Sequence, residues 1–265
     1  MQPGQQQKAE DFRALHEGGA FIIPNPWDAG SAKVMAGMGF KALATTSAGF
    51  AYTLGRRDGA VTLDELADHI RLLDEATELP VSVDLENGFG PQPADAARAI
   101  TRAAEAGAVG GSIEDYDPDG RIYERNHAVE RIVAAREAAD RLGFPFTLTA
   151  RAENFFRGNP DLDDTIGRLQ AYEEAGADVI YAPNLRSGEL IRAVCDATSR
   201  PLNVLAHPRL SVGEIVEAGG RRISVGSWLT MVAVDAFVEA ASQMRDHGDF
   251  SKLRPATQIN EWLDG

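Results

Sequence analysis

Lysine, cysteine, net positive charge and long apolar runs are all scarce in this chain of 265 residues. Cys195 is the only cysteine, which excludes an intramolecular disulfide framework and a structural Cys-cluster zinc site. Lys8, Lys33, Lys41 and Lys252 are the only lysines, so few residues are available for Schiff-base chemistry. Twenty-six Lys and Arg against 40 Asp and Glu leave a net charge of −14, a poor basis for gripping nucleic-acid phosphates or anionic lipid. Neither nucleic acid nor a membrane is expected as a partner. No window approaches the apolar length of a membrane span. Met1 to Glu10 is Gln-rich and lacks the basic start and apolar run of a signal peptide, so a cytoplasmic location is expected.

What is present is an ordinary globular composition, 44% hydrophobic and 25% charged. Short apolar runs alternate eight times with segments of helical period. The strand candidates are Phe21 to Pro24, Ala42 to Ser47, Val81 to Glu86, Gly110 to Asp115, Phe146 to Glu153, Val179 to Pro183, Pro201 to Ala206 and Arg221 to Gly226. Each reads as near-continuously apolar until its C-terminal end, as strands buried on both faces of a parallel sheet do. Between them lie amphipathic segments such as Thr62 to Glu78, where Leu63, Leu66, Ile70 and Leu73 recur behind a Thr62/Glu65 capping box. Glu105-Ala106-Gly107-Ala108 and Glu174-Ala175-Gly176-Ala177 each close a helix ahead of a strand, the glycine supplying a left-handed cap. The alternation predicts an α/β fold, one (β/α)8 TIM-type barrel. A single domain is expected over residues 1–265, with its core over about 20–245. An extra C-terminal helical segment over 249–265, around Ile259, Trp262 and Leu263, is expected to pack on a partner subunit. No G-x-G-x-x-G follows a strand, which disfavours a dinucleotide site.

In such barrels the chemistry gathers at the C-terminal ends of the strands. The third strand ends Val83-Asp84-Leu85-Glu86-Asn87 and the fourth ends Ile113-Glu114-Asp115, so Asp84, Glu86 and Glu114 are expected to converge at the mouth. Three converging carboxylates call for a cation, and an all-oxygen set suits Mg2+ or Mn2+. The competing reading is that each acid only caps a following helix. Arg151, ending the fifth strand, suits a bidentate clamp on a substrate carboxylate or, more simply, a counter-ion for Glu114 or Glu153. Thr45 to Gly49 is a small-residue turn whose backbone N–H groups suit an anion.

These residues resemble the isocitrate lyase and phosphoenolpyruvate mutase superfamily. The resemblance runs from about Ala20 to Ala240 and is carried by Thr46-Ser47-Ala48-Gly49, Leu54-Gly55-Arg56-Arg57-Asp58-Gly59, Val83-Asp84-Leu85-Glu86-Asn87-Gly88-Phe89-Gly90, Gly111-Ser112-Ile113-Glu114-Asp115 and Thr149-Ala150-Arg151-Ala152-Glu153. It implies Mg2+-dependent chemistry on 2-oxo or 2-hydroxy carboxylates, with an enolate as the usual intermediate. By the resemblance Asp84 is the direct metal ligand, Glu86 and Glu114 hold metal-bound waters, and Asp58 belongs to the metal-side network. Ser47, Ala48 and Gly49 receive the substrate carboxylate and Arg151 binds the oxo-acid head. Better-known members carry aspartate where Glu86 stands. The family's lyases also carry a Lys-Lys-Cys-Gly-His loop after the fourth strand, whereas Tyr116 to His127 has neither Lys nor Cys. Cys195 shares a helix with Leu190, Ile191 and Val194 and is expected to be a core residue.

The missing acid turns the expectation toward oxaloacetate-type decarboxylation or another carbon-carbon cleavage of a small 2-oxo dicarboxylate. Tyr123, Glu124 or His127 in the loop are candidate helpers. His207, past the seventh strand, is the stronger candidate for proton transfer, with a loop or helix-cap contact as its alternative. Tyr181, Asn184 and Asn203 are expected on the pocket wall, and Asp28 is expected to cap a helix. Competing functions are phosphonopyruvate hydrolase or mutase chemistry and a non-catalytic 2-oxo acid binder. A Schiff-base aldolase is disfavoured, since Lys8 and Lys252 lie outside the predicted barrel, Lys33 is in a helix and Lys41 precedes the second strand at the wrong end. The resemblance also implies a homodimer or homotetramer in which the C-terminal helices are exchanged between subunits.

Overall fold

The computed structural model describes residues 4–253 and 258–264. Its elements run α1 (Gln5–Glu17), β1 (Phe21–Ile23), α2 (Ala29–Gly37), β2 (Leu43–Ala44), α3 (Ser47–Thr53), α4 (Leu63–Ala76), β3 (Val81–Asp84), α5 (Pro93–Glu105) and β4 (Gly110–Glu114). A hairpin of β5 (Tyr116–Asp117) and β6 (Arg121–Ile122) follows, then α6 (Arg125–Asp140), β7 (Thr147–Arg151), α7 (Leu162–Glu174), β8 (Val179–Tyr181), α8 (Gly188–Ala197), β9 (Leu202–Leu205), α9 (Val212–Glu217), β10 (Arg222–Ser224), α10 (Trp228–His247) and α11 (Ile259–Asp264). Each of the eight strand candidates contains one barrel strand, and the candidates overrun the strand ends, Ser47 already belonging to α3.

Eight parallel strands lie in the order β1-β10-β9-β8-β7-β4-β3-β2. The Ala44 N–H donates to the Pro24 carbonyl at 3.0 Å, which brings β2 against β1 and nearly closes the ring. Asn25 stitches that seam. Its Nδ2 donates to the Thr45 carbonyl at 2.9 Å, and its Oδ1 accepts from the Val225 and Gly226 N–H groups, each at 2.9 Å.

Local signals fix the helix ends. Thr62 Oγ1 accepts from the Glu65 N–H while Glu65 reaches back to the Thr62 N–H, so α4 starts where the capping box predicts. Asp28 caps α2 in the same way with Ser31. Gly107 and Gly176 stand at φ 113° and 99°, a conformation costly for any residue with a Cβ, so each helix stops and the chain turns into the next strand.

The strands are less uniformly apolar than expected. Val83, Leu148, Ala150, Ile180, Leu202, Val204 and Ile223 belong to the main core, where each large side chain contributes about 1.5–3 kcal/mol by leaving water. The alternate residues are Ser82, Asp84, Ser112, Glu114, Thr147, Thr149, Arg151, Tyr181, Asn203, Arg222 and Ser224, a polar lining enclosed by the strands. Period two operates here where a continuous apolar run was expected.

α1 seals the N-terminal end of the barrel. Gln5 Nε2 donates to the carbonyls of Ala104, in the last turn of α5, and of Ala108 beyond it, and Lys8 pairs with Asp74, in the last turn of α4, at 2.7 Å. Phe12 packs with Ala9, Ile23, Ala42, Ala44 and Val109 beneath the sheet. Within the single chain α11 packs on α2. Trp262 lies against Gly37, where a Cβ would come within 2.6 Å of the indole, and Lys33 Nζ donates to the Leu263 carbonyl at 2.9 Å. No described helix is long and apolar enough to cross a membrane.

Candidate active site

The C-terminal strand ends surround a cavity of about 610 Å3 that runs down into the barrel. Asp84, the last residue of β3, donates its N–H to Thr45 Oγ1 at 2.8 Å, and its Oδ1 accepts from the Glu86 N–H at 3.2 Å. Glu86 lies past the end of β3 and reaches the cavity by a left-handed turn at φ 49°, where sequence alternation alone suggested a continuing strand. Such a conformation in a non-glycine residue is uncommon and persists only where its surroundings hold it. The surroundings include Arg131, a fully buried arginine that donates to the carbonyls of Gly90 and Gln92 at 2.8 and 3.2 Å and also to that of Asn87. Glu114, from β4, is buried and lines the same cavity. Asp58, on the loop after α3, lines it as well and accepts a hydrogen bond from the Ser47 hydroxyl.

Two guanidinium groups meet these acids. Arg151 ends β7 and lies 3.3 Å from Glu114 and 3.8 Å from Asp84, with Glu153 hydrogen-bonded to its Nε. The rings of Tyr181 and Phe156 flank it. Arg157 pairs with Glu153 at 2.8 Å and Glu114 at 3.4 Å, and its guanidinium lies 3.7 Å from the Tyr116 ring centroid. The carboxylates of Asp58, Asp84, Glu86, Glu114 and Glu153 thus outnumber the guanidiniums of Arg151 and Arg157. The imbalance shows in the acidities. Loss of water, then repulsion from Asp84 and Asp58, pushes Glu86 up to about 8. Burial likewise raises Glu114 well above the usual carboxylate range, and Asp58 rises for the same first reason with Asp84 adding to it. Arg151 loses water too, yet Glu153, Glu114 and Asp84 hold it more firmly protonated than an ordinary arginine.

No three or more His, Cys, Asp or Glu side chains among the described residues are drawn into a ready coordination cluster; Arg151 stands between Glu114 and Asp84. The excess negative charge and all-oxygen donors nevertheless fit a hard divalent cation of the Mg2+ or Mn2+ type.

The turn after β2 is the start of α3. Ser47 and Ala48 line the cavity in its first turn. Gly49 does not: its N–H donates to the capping Thr46 Oγ1 at 3.2 Å, and a Cβ there would come within 2.5 Å of Thr46 and 2.8 Å of Thr230. It serves close packing. Asn203, Tyr181, Asn184 and His207 all line the cavity. His207 Nδ1 accepts from the Arg209 N–H at 3.3 Å, so its mouth position and its loop contact coexist. Tyr123 is placed elsewhere. It is buried, its hydroxyl accepts from Asn87 Nδ2 at 3.2 Å, its ring meets His127 edge-on, and it does not line the cavity. The β5–β6 hairpin turns the chain so that Tyr116 and Pro118 face the cavity instead. No lysine lines it. Cys195, on α8, is held up at about 11 by burial.

Sequence reasoning missed Arg157, Asn25 and Arg222, all on the cavity wall. It also assigned no partner to Asp115, a buried acid held by the Glu153 N–H, Arg168 and Tyr172 at 2.9, 3.1 and 2.6 Å. Asp115 thereby fixes the backbone of Glu153, which in turn bridges Arg151 and Arg157.

The phosphoenolpyruvate phosphomutase family model matches residues 12–245. A 2-methylisocitrate lyase of Halalkalibacterium halodurans is 30% identical over 261 residues, covering 92% of this chain and 84% of that one. An oxaloacetate decarboxylase of Rhodopseudomonas palustris strain BisB5 is 30% identical over 248 residues, covering 89% and 84%. A crystal structure of a Burkholderia cenocepacia J2315 protein superposes with TM-score 0.95 and 51% identity, covering 100% of this chain and 98% of that one. With its barrel, its acid-lined mouth and these relatives, the chain belongs to the phosphoenolpyruvate mutase/isocitrate lyase superfamily of lyases and mutases.

Proposed function

We propose that the protein is a Mg2+-dependent lyase acting on a small 2-oxo or 2-hydroxy dicarboxylate through an enolate, most directly by decarboxylation of oxaloacetate or a related carbon-carbon cleavage. The observation that carries this reading is the mouth of the barrel, where Asp58, Asp84, Glu86 and Glu114 exceed their arginine partners beside Arg151 and the start of α3. The decarboxylase and lyase relatives support it.

Asp84, Glu86 and Glu114 would hold the cation, which when bound supplies positive charge against the electron density that develops as the carbon-carbon bond breaks. Arg151 has guanidinium donors beyond the one engaged by Glu153, and these orient the carboxylate of the oxo-acid head with the first-turn amides of α3 at Ser47 and Ala48. Phe156 and Tyr181 exclude water from the far side of Arg151, which strengthens that contact. In oxaloacetate the bond between C3 and the C4 carboxylate breaks, carbon dioxide leaves, and C3 accepts a proton to give pyruvate. His207, half-buried at the mouth, is the proton donor in this scheme.

A panel of 2-oxo and 2-hydroxy acids assayed with Mg2+ tests the function. Turnover of at least one dicarboxylate above the metal-only background, abolished by EDTA, is the expected result. Binding without turnover across the panel would replace the lyase with an oxo-acid binder. Phosphate release from phosphonopyruvate would move the reading to carbon-phosphorus chemistry.

The proposal includes a homodimer or homotetramer. α10 buries only Thr230 and exposes Val232, Phe237 and Val238, at 63%, 71% and 51%. It therefore supplies the apolar face that the sequence assigned to the C-terminal segment, and light scattering at more than one monomer mass is expected.

A further inference from the structure

A polar row crosses the inside of the barrel wall. Arg151 is in register with Tyr181, Tyr181 with Asn203, and Asn203 with Arg222. Register partners on parallel strands face the same way, and all four residues line the cavity. The row begins and ends on arginine, and the two ends differ. Arg151 is surrounded by carboxylates. Arg222, only 4% exposed, has no carboxylate partner among the described residues.

Arg222 is nevertheless held in place. Its Nη1 donates to Thr149 Oγ1 at 2.9 Å, and its guanidinium lies 6.0 Å from the ring of Phe12, which rises from α1 at the barrel floor. Its Nε has no hydrogen-bond partner among the described residues. Beside it, Asn203 donates to Ser224 Oγ at 3.0 Å. The inward residues that precede Asp84, Glu114 and Arg151 by two positions are Ser82, Ser112 and Thr149, so this level of β3, β4 and β7 offers hydroxyls and no anion. Burial without a counter-charge pulls the guanidinium of Arg222 down to about 10, against the opposing pull of Tyr181. A desolvated cation with an unused donor on a cavity-lining residue is costly unless an anion completes it.

We propose that Arg222, with Thr149 positioning the guanidinium, forms a deep anion subsite that receives the second carboxylate of a short dicarboxylate whose oxo-acid head is held at the mouth. The subsite rests on the 2-oxo acid reading and adds the group that selects diacids over monoacids. Thr149 precedes Arg151 by two residues, so the floor lies about 7 Å of strand rise below the mouth, within reach of a short diacid. A monoacid of the same length would put a methyl group against a bare guanidinium, which penalises it.

Calorimetry with Mg2+ present tests this through 2-oxoglutarate and 2-oxopentanoate, which share a carbon chain and differ in ending on a carboxylate or a methyl. Wild-type protein is expected to bind the diacid at least about tenfold tighter. Arg222→Met is expected to erase that preference while leaving the affinity for 2-oxopentanoate within about threefold. Arg222→Lys, which keeps the charge and loses the planar fork, retains part of the preference and reports on the site should the Met variant not fold. Equal binding of the two acids by wild-type protein, or a preference unchanged in Arg222→Met or Arg222→Lys, overturns the subsite alone. If neither acid binds wild-type protein, the 2-oxo acid reading fails and the subsite falls with it.

Discussion

The mouth and the floor of this barrel hold the same cation in opposite company. At the mouth Arg151 is held by Glu153, Glu114 and Asp84, and the site still carries more negative than positive charge. At the floor Arg222 meets a threonine hydroxyl and a phenylalanine ring. The difference teaches that the barrel interior is graded: carboxylates outnumber guanidiniums at its open end, and its closed end holds a guanidinium with no carboxylate among the described residues. The outer face of the same strands contributes stability through Leu148, Ile180 and Val204, which leaves the inner face free to carry that gradient.

Replacing each arginine by methionine is the sharpest way to break the comparison. Arg151→Met strips the counter-charge from a fully buried Glu153 and from Glu114, and is expected to cost about 3–5 kcal/mol in urea unfolding. Equal stability of wild type and variant would remove the idea that Arg151 neutralises the mouth. Acidification probes the mouth from behind. His69 is buried and stacks on Phe50 of α3 with centroids 3.9 Å apart, and burial pulls it from 6.5 down to about 4, Asp28 opposing. Its neutral form is favoured by folding, so its contribution is complete above pH 6.5 and is lost as the pH falls from 6.5 toward 4. The loss reaches about 2 kcal/mol by pH 5. The stability gap between wild type and His69→Gln is therefore expected to shift against wild type by that amount from pH 7 to pH 5, and a constant gap would contradict it. The smallest change is at the floor. Arg222→Met removes an unpaired buried charge at the expense of one hydrogen bond, and is expected to stabilise the ligand-free protein by about 1 kcal/mol, opposite in sign to Arg151→Met. Destabilisation of similar size by both substitutions would erase the contrast.

The barrel was legible because strand runs, capping boxes and the Gly107 and Gly176 junctions are local signals that agree with one another. That Asp84, Glu114 and Arg151 line one cavity was legible because barrel geometry sends strand ends to one place, whereas Glu86 joins them by a turn past the end of β3. The remaining site residues depend on longer-range geometry. Arg157 lies in a loop beyond β7 and meets Glu114 only after the chain turns back. Arg222 begins its strand, the end at which a barrel is normally read for stability, and it reaches the cavity because the register row slants across the wall. Tyr123 looked like a loop residue near the chemistry, but the β5–β6 hairpin turns it into the core. The part α1 plays under the barrel was not legible because its buried face is Gln5, Lys8, Ala9 and Phe12, half of it polar, which leaves little apolar period to show which side packs.

The rate of pyruvate formation from oxaloacetate with Mg2+, measured for wild-type protein and Asp84→Ala and corrected for the metal-only background, bears most directly on the acid-lined mouth as the reaction centre. The account predicts a wild-type excess that falls at least about 100-fold in the variant while its melting transition stays cooperative. A folded Asp84→Ala protein that decarboxylates oxaloacetate at the wild-type rate would contradict it.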